Sequence, residues 1–267
     1  MTRRRLLEIV PGFLSWNIIL FLFWGGYFFP EITAYSILLF EVFWVYKGVS
    51  LVAAAFLSYI KIQAAERLNW MEEVKGFGDF KKVRHIVLLM IANEPVEVYK
   101  KTLEALTEQT FPLKQMAIVM ATEERFPNGV VECEKLRKTL GVKFGDYIVS
   151  VHPANIVGEI KGKSSNEAWA AREAKRVLVD EKKYDIKYIT ITSNDADAVS
   201  HRQYFAYLTF KFLDDPNRYL KFWQPAIVFY NNIWRLPAPS RVVNTFSNIW
   251  QVGLLSRKDR LVNFSNY

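Results

Sequence analysis

The sequence predicts an α/β domain with a Rossmann-like, mostly parallel sheet and flanking helices, preceded by a two-helix transmembrane hairpin. Two observations lead to this architecture. After residue 84, short apolar runs alternate with helical patterns four times, an order typical of layered domains with parallel strands. Before that point, two long apolar segments fill most of residues 1–60, and segments of such length predict helices that cross a bilayer.

The composition supports a folded chain and excludes several functional classes. The 267 residues are 51% hydrophobic and 15% aromatic, which is sufficient for a sizeable core. The single cysteine, Cys133, excludes an intramolecular disulfide and a thiolate metal cluster. The histidines are too widely spaced to indicate a zinc site: His85, His152 and His201. The net charge of +8 is not gathered into a nucleic-acid-binding module, so we expect no nucleic-acid partner.

The hairpin is predicted from two apolar segments. The first, residues 13–30, has no charged residue over about 18 positions, which is close to the minimum for crossing a hydrocarbon core of roughly 30 Å. The second, residues 32–60, is interrupted only by Glu41 and Lys47. Charges are costly in hydrocarbon, so these two require a protected face.

Flanking charges predict the orientation of the hairpin. Arg3, Arg4 and Arg5 precede the first segment, and the loop around Glu31 has no Lys or Arg. Six basic residues follow the second segment: Lys61, Arg67, Lys75, Lys81, Lys82 and Arg84. The positive-inside rule then places both ends in the cytoplasm, which predicts a multi-pass protein of the cell membrane. Two alternatives are a cleaved signal peptide over residues 1–30 and a helical hairpin buried in a soluble core.

The rest of the chain divides into three parts. Residues 61–84 are polar and contain Gly76 and Gly78, which predicts a juxtamembrane helix and linker. Residues 85–230 form the α/β domain. Residues 231–267 are apolar and aromatic, with prolines; we expect the start of an acceptor-binding region, a membrane-surface segment with Arg235 and Arg241 near lipid headgroups, or ordinary core packing. The ending NFSNY suggests a fragment of a longer product.

The predicted strands place three polar motifs at one edge of the sheet. Strands are expected at 85–92, 114–121, 146–152 and 187–193, and helices at 96–109, 130–140, 164–181 and 200–213. The motifs NEP (93–95), TEER (122–125) and NDAD (194–197) each follow a strand. Ligands of parallel sheets bind at the carboxyl ends of the strands, so these motifs predict the ligand site.

Asp195 and Asp197 are the main candidates for binding a cation. They lie one residue apart on a turn after a predicted buried strand. Two carboxylates that point into one crevice can bind a hard divalent cation, which neutralises a diphosphate. An aspartate pair of this kind is also typical of a solvated turn or helix cap. The other motifs of the sequence therefore have to decide between cation binding and a solvated turn.

The order of the motifs resembles that of inverting family 2 glycosyltransferases. The matching residues are Asn93-Glu94, Glu123-Glu124, Gly162-Lys163 and Asp195-Ala196-Asp197. The resemblance covers about residues 85–230 and is strongest in GKSSNEAWA and SNDADAVSHRQYFAYL. Two N-terminal spans also look like membrane-bound members of the family. The resemblance implies a GT-A fold, a nucleoside-diphosphate sugar as donor, Mg²⁺ or Mn²⁺ as cofactor, and a glycan or lipid-linked acceptor at the cytoplasmic membrane face.

The resemblance also implies roles for individual residues. Asp197 would coordinate the metal, and Asp195 would share the metal or contact the ribose. Lys163, after Gly162, would contact a phosphate or the nucleotide; a solvated lysine is the ordinary alternative.

Four further residues are expected around the nucleoside. Glu123 or Glu124 would contact the base or ribose, although both could be solvated loop acids. Asn93 and Glu94 would line the nucleotide pocket, although Asn93 is equally suited to capping the next helix.

The chain departs from the family pattern in ways that concern catalysis. Ala92 stands where the family has proline, and the second motif lacks its usual aspartates. The later Glu-Asp pair and the Gln-x-x-Arg-Trp motif have no match before Tyr267. An inverting transfer needs a carboxylate base for the acceptor hydroxyl, and none is assigned. Asp214 and Asp215 are interpreted as helix-end or turn residues.

Two other functions are considered. A phosphate loop at GEIKGKS has three residues between its glycines, Gly158 and Gly162, where the motif requires four. A membrane-anchored nucleotide-sugar-binding domain, or a pseudoenzyme that serves a partner, is the stronger alternative.

Overall fold

A computed structural model of the protein describes residues 3–230 and 233–257. It begins with two long helices, α1 (Arg3–Phe28) and α2 (Pro30–Glu66). Both are long and apolar enough to cross a membrane, and none of the residues in their most apolar stretches is buried. Within the described residues, these stretches are therefore not packed in a soluble core. The second helix also continues beyond the predicted end of the span at residue 60.

The connection between the two helices is tight. The Phe29 amide donates to the Gly25 carbonyl at 2.6 Å, and the Thr33 hydroxyl donates to the Phe29 carbonyl at 3.0 Å. Pro30 occupies the start of α2, where its missing N–H costs nothing. A Cβ at Gly25 would lie 2.6 Å from the Phe21 ring and 2.8 Å from the Thr33 hydroxyl. A larger residue here would displace the Phe21 ring or the Thr33 hydroxyl.

A short helix, α3 (Trp70–Lys75), joins the hairpin to the α/β domain. The Trp70 indole donates to the Ala65 carbonyl at 2.8 Å, and the Trp70 backbone amide donates to Gln203 Oε1 at 3.0 Å. The Trp70 ring also packs on Tyr207 with 4.3 Å between ring centroids. This nearly buried tryptophan ties the end of α2 to the α/β domain.

The α/β domain contains a four-stranded, wholly parallel sheet in the order β3-β2-β1-β4. The strands are β1 (Arg84–Met90), β2 (Met116–Glu123), β3 (Asp146–His152) and β4 (Ile189–Asp195). The central strands β1 and β2 are almost completely buried, and the edge strands are partly exposed. The predicted α/β class with a parallel sheet is confirmed.

The described residues contain five further α-helices: α4 (Val96–Thr107), α5 (Pro127–Thr139), α6 (Lys163–Ala174), α7 (Tyr204–Asp214) and α8 (Ala238–Leu254). The helix predicted over 164–181 changes after Ala174 into a π-helix, Lys175–Glu181. Helix α8 was not predicted; Pro237 precedes it and Pro239 lies in its first turn, where proline is favoured. Residues 1–2, 231–232 and 258–267, which include part of the predicted interfacial region, lie outside the described residues.

Alternating side chains of the sheet pack into two cores. On one face, Val87 and Leu89 pack with Tyr99, Leu103 and Phe205 from α4 and α7. The other face packs on α6 and the π-helix, through the following buried residues: Ile86, Leu88, Met90, Ala170, Ala174 and Leu178. Helices on both faces explain why β1 and β2 are apolar throughout rather than alternating.

The strand order places a crevice between β1 and β4. The chain moves from β1 to β2 and β3 on one side, and then crosses back so that β4 pairs with the other side of β1. The strand order therefore reverses between β1 and β4, and ligands of parallel sheets bind at the carboxyl ends of the strands beside such a reversal.

Candidate functional site

The crevice at the carboxyl ends of β1 and β4 contains a cleft of about 460 Å³. Three loops and the first turn of α6 contribute polar side chains to it: Glu94, Glu123, Lys163, Asn166, Asp195 and Asp197. Its apolar wall is formed by Met90, Ile91, Ala92, Val98 and Ala196. Five of the sequence-predicted site residues therefore meet in one cleft.

The turn after β4 brings the two aspartates to this cleft. Asp195 is the last residue of β4 and pairs in register with Met90 of β1. Ala196 is 5% exposed, and its carbonyl accepts a 2.7 Å hydrogen bond from the Thr102 hydroxyl of α4. Because Ala196 is held in this way, the carboxylates on either side of it are fixed at the edge of the sheet.

Lys163 connects α6 to the aspartate turn. It is the first residue of α6, and its ammonium group forms an ion pair with Asp195 Oδ1. Both side chains remain about one-third exposed, at 37%. An ammonium at a helix N-terminus favours anionic ligands together with the free N–H groups of the first turn. The pair thus places a cation at the cleft, next to the carboxylates.

Asn166 lies one helical turn after Lys163 and was not predicted as a site residue. It is 2% exposed, and its Nδ2 donates to the Ala121 carbonyl at the end of β2 at 2.8 Å. Its Oδ1 has no hydrogen-bond partner within residues 3–230 and 233–257. Buried polar atoms are normally paired, so this oxygen is an acceptor available to a group entering the cleft. Its spacing of three residues from Lys163 was the signal in the sequence.

Glu123 is buried in the cleft wall and already has a cationic partner. Its side chain is 7% exposed, and Arg125 Nε donates to its Oε2 at 2.9 Å. Arg125 was not predicted either, although it ends the TEER motif. A buried carboxylate requires such compensation, so the arginine explains how Glu123 is tolerated next to other acids.

The loop after β1 separates the cleft from a second cleft of about 440 Å³. Glu94 lines both clefts, while Asn93 lines only the second, together with Arg125 and Tyr99. Glu94 Oε2 accepts from the Ala92 amide at 2.7 Å. Helix α4 begins after Pro95 without a side-chain cap, so the alternative role of Asn93 as a helix cap is wrong.

Two predicted site residues lie outside both clefts. Glu124 accepts a 2.9 Å hydrogen bond from the Ala154 amide and therefore supports the loop after β3. Gly162 precedes α6, and its carbonyl accepts from the Asn166 amide at 3.2 Å. Neither lines the space where Asp195 and Lys163 meet.

His152 ends β3 and lies beside Glu123 in the sheet register. Its Nε2 and Glu159 Oε1 are 2.7 Å apart, and its ring contacts the edge of Trp169 with 5.6 Å between centroids. The contact with Glu159 holds the 153–162 loop against the sheet. This loop leads to Lys163. Within the described part of the chain, no group of three or more His, Cys, Asp or Glu side chains forms a metal site by itself.

The charge balance of the cleft nevertheless suits a divalent cation. Four carboxylates line it, from Glu94, Glu123, Asp195 and Asp197, and their cationic neighbours are Lys163 and Arg125. Mg²⁺ is usually held by one or two carboxylates together with substrate phosphates and water. The Asp195 and Asp197 pair fits that donor set, and the remaining negative charge would repel a diphosphate that arrived without a cation.

Comparison with known proteins does not assign the chain to a family. No protein-family model matches it, and a search of curated proteins finds no match. Its function is therefore argued from the site.

Proposed function

We propose that the protein is a membrane-anchored glycosyltransferase of the family 2 type, with a GT-A fold. It would bind a nucleoside-diphosphate sugar in the β1/β4 cleft and transfer the sugar, with inversion, to a glycan or lipid-linked acceptor at the cytoplasmic membrane face. The observation that supports this proposal best is the meeting of Asp195, Asp197 and Lys163 in one cleft at the carboxyl edge of a parallel sheet. These residues also follow the order of the family motifs.

The described residues have distinct tasks in this proposal. Asp195 and Asp197 would hold Mg²⁺ or Mn²⁺, which supplies positive charge for the leaving diphosphate. Lys163 would exchange part of its contact with Asp195 for a phosphate oxygen, at the N-terminus of α6. The free Oδ1 of Asn166 would accept a hydrogen bond from a donor hydroxyl. Each task uses a group that already lies at the cleft.

The nucleoside would extend toward the second cleft. That cleft shares Ala92 and Glu94 with the first and is lined by Asn93, Tyr99 and Arg125. Burial raises the pKa of Tyr99 to about 12, so its hydroxyl stays protonated at neutral pH. The two adjoining clefts provide separate places for the diphosphate and the nucleoside.

The acceptor side of the reaction is not assigned to residues. An inverting transfer requires a carboxylate that removes the acceptor proton, and Asp214 and Asp215 do not line either cleft. Asp215 accepts from the Asn217 amide at 2.8 Å and forms an ion pair with Lys221, as expected of a turn residue. The second candidate function is a membrane-anchored nucleotide-sugar-binding domain or pseudoenzyme without turnover.

A nucleotide-release assay tests the proposal and distinguishes the two functions. The protein would be reconstituted in lipid nanodiscs with UDP-, GDP- or dTDP-sugars, each with Mg²⁺, Mn²⁺ or a chelator. We expect metal-dependent binding of at least one donor and release of its nucleoside diphosphate when an acceptor extract is added. Binding without release would favour the non-enzymatic function. A failure of every donor to bind, with or without metal, would contradict both.

A further inference from the structure

Helix α8 has an apolar face that stays exposed in the described part of the protein. The residues of this face follow the helical spacing of three and four positions: Val242, Val243, Phe246 and Ile249. All four are exposed, with Val243 at 64% and Phe246 at 68%. Large apolar surfaces are rarely left in water, so this face needs a partner.

The same face of α8 contacts the hairpin at its C-terminal end. Gly253 lies seven residues after Phe246 and therefore on the same side of the helix. A Cβ at Gly253 would be 2.7 Å from the Leu51 side chain and 3.2 Å from the Leu51 carbonyl oxygen of α2. This spacing leaves little room for a side chain, so α8 is closely seated on α2 at a point within the apolar run of that helix.

Hydrogen bonds fix the position of α8 along α2. The Ser58 hydroxyl donates to the Ser256 hydroxyl at 2.7 Å, and Lys61 Nζ donates to the same oxygen at 3.2 Å. Lys61 is the first charged residue after the second apolar segment. The end of α8 therefore lies at the level where α2 would leave the hydrocarbon.

The other side of α8 is polar and has protein contacts. Asn248 Oδ1 accepts from the Phe229 amide at 2.7 Å, which ties the preceding segment to the helix. Arg241, Asn244 and Ser247 are also half-buried. A helix with one polar, contacted side and one exposed apolar side is typical of segments that lie in a membrane interface.

We infer that α8 is an interfacial membrane helix whose apolar face contacts lipid acyl chains beside α2. The partner is the bilayer that holds the hairpin, because the α8 face that meets α2 at Gly253 continues directly into the exposed residues up to Val242. This inference rests on the membrane anchoring in the proposed function, but not on glycosyl transfer.

Nitroxide labels on single cysteines test this inference in nanodiscs of phosphatidylcholine and phosphatidylglycerol. Phe246→Cys probes the apolar face, and Thr245→Cys is the matched control on an exposed polar position of the same helix. Leu39→Cys, on α2, reports lipid, and Val131→Cys, on α5, reports water. The native Cys133 is fully buried and should not be labelled.

We expect the ratio of collisions with oxygen to collisions with a water-soluble nickel chelate to be several-fold higher at Phe246→Cys than at Thr245→Cys. The Phe246 label should resemble Leu39, and the Thr245 label should resemble Val131. A Phe246 label open to the nickel chelate, or shielded from both reagents by protein, would overturn the inference while leaving the anchor intact. A water-exposed Leu39 label would overturn the anchor as well. None of these outcomes depends on transferase activity.

Discussion

At the scale of single residues, the buried polar groups show how the sheet is held. His85 is completely buried at the start of β1, between the hydroxyls of Thr190, at 2.5 Å, and Thr209, at 2.7 Å. The Thr209 hydroxyl donates to the Phe205 carbonyl at 2.7 Å. His85 Nε2 must therefore donate to Thr209, and Nδ1 must accept from Thr190. A neutral histidine in this tautomer satisfies both contacts, and burial disfavours the protonated ring.

His85 should make stability depend on pH. Burial lowers the pKa of His85 to about 3 in the folded chain, while the unfolded chain takes up the proton near the ordinary value of 6.5. The contribution of neutral His85 to stability is fully present above about pH 6.5 and is lost as the pH falls toward 3. The free energy of unfolding then decreases by up to about 1.4 kcal/mol per pH unit. Denaturant unfolding between pH 7.5 and 5 would measure this slope.

A pair of variants isolates the contribution of His85. His85→Gln should reduce the pH slope of unfolding free energy, even if the variant is less stable throughout. His201→Gln, which changes an exposed histidine, should keep the slope of the parent protein. Equal slopes in the parent and His85→Gln would show that His85 is not the responsible group.

The site residues differ in how far the sequence could predict them. Asp195 and Asp197 were predicted from their position after a strand and Lys163 from the resemblance to the family motifs, and the structure brings the three to one cleft. The contacts of Glu123 with Arg125 and of Asn166 with Ala121 were not predicted. They depend on how neighbouring strands end and on the rotation of α6, which no local pattern specifies.

At the scale of secondary-structure elements, the strands were predictable because β1 and β2 are buried on both faces and therefore apolar throughout. The ends of the strands were less predictable: the second strand was expected at 114–121 and lies at Met116–Glu123. Pairing order depends on contacts distant in the sequence, so it could not be predicted from local patterns. Helix α8 was missed because its apolar face lacks a core partner.

The turn into β3 depends on a glycine. The Gly145 amide donates to the Leu113 and Met116 carbonyls at 3.0 and 2.9 Å. A Cβ at this position would lie 2.4 Å from the Lys114 carbonyl oxygen, which is backbone and cannot move aside freely. The close approach joins the start of β3 to the start of β2.

Gly145→Ala should therefore destabilise the α/β domain by roughly 1–3 kcal/mol. The free energy of unfolding in denaturant would measure the loss. Gly129→Ala is the matched control, because its Cβ would have its nearest contact at 3.7 Å, and its stability should be unchanged or slightly higher. Equal effects of the two substitutions would contradict the steric argument.

At the scale of the whole molecule, Trp70 packs on α7 and ties the end of the hairpin to the α/β domain, while α8 is seated on α2. The proposed topology places the domain in the cytoplasm and the α1–α2 turn outside, because the basic residues flank the outer ends of both apolar segments.

This topology predicts opposite labelling of two exposed positions. Tyr27→Cys lies at the α1–α2 turn and Leu68→Cys follows α2; their parent residues are 82% and 47% exposed. A membrane-impermeant maleimide should label Tyr27→Cys in intact cells and Leu68→Cys only in inverted vesicles. The reverse pattern would invert the topology, and labelling of both positions from one side would show that the hairpin does not cross the bilayer.

The central claim is that the aspartates of the β1/β4 cleft bind a nucleoside diphosphate through a divalent cation. Its most direct test is calorimetric titration of the nanodisc-held protein with UDP, GDP and dTDP, with and without Mn²⁺, in three forms: the parent, Asp197→Asn and Asp214→Asn. Asp214 is an exposed aspartate at the end of α7, outside both clefts. We expect Mn²⁺-dependent binding in the parent and Asp214→Asn, and a loss of at least about tenfold in affinity, or 1.4 kcal/mol, in Asp197→Asn. Unchanged affinity and unchanged metal dependence in Asp197→Asn would contradict the claim.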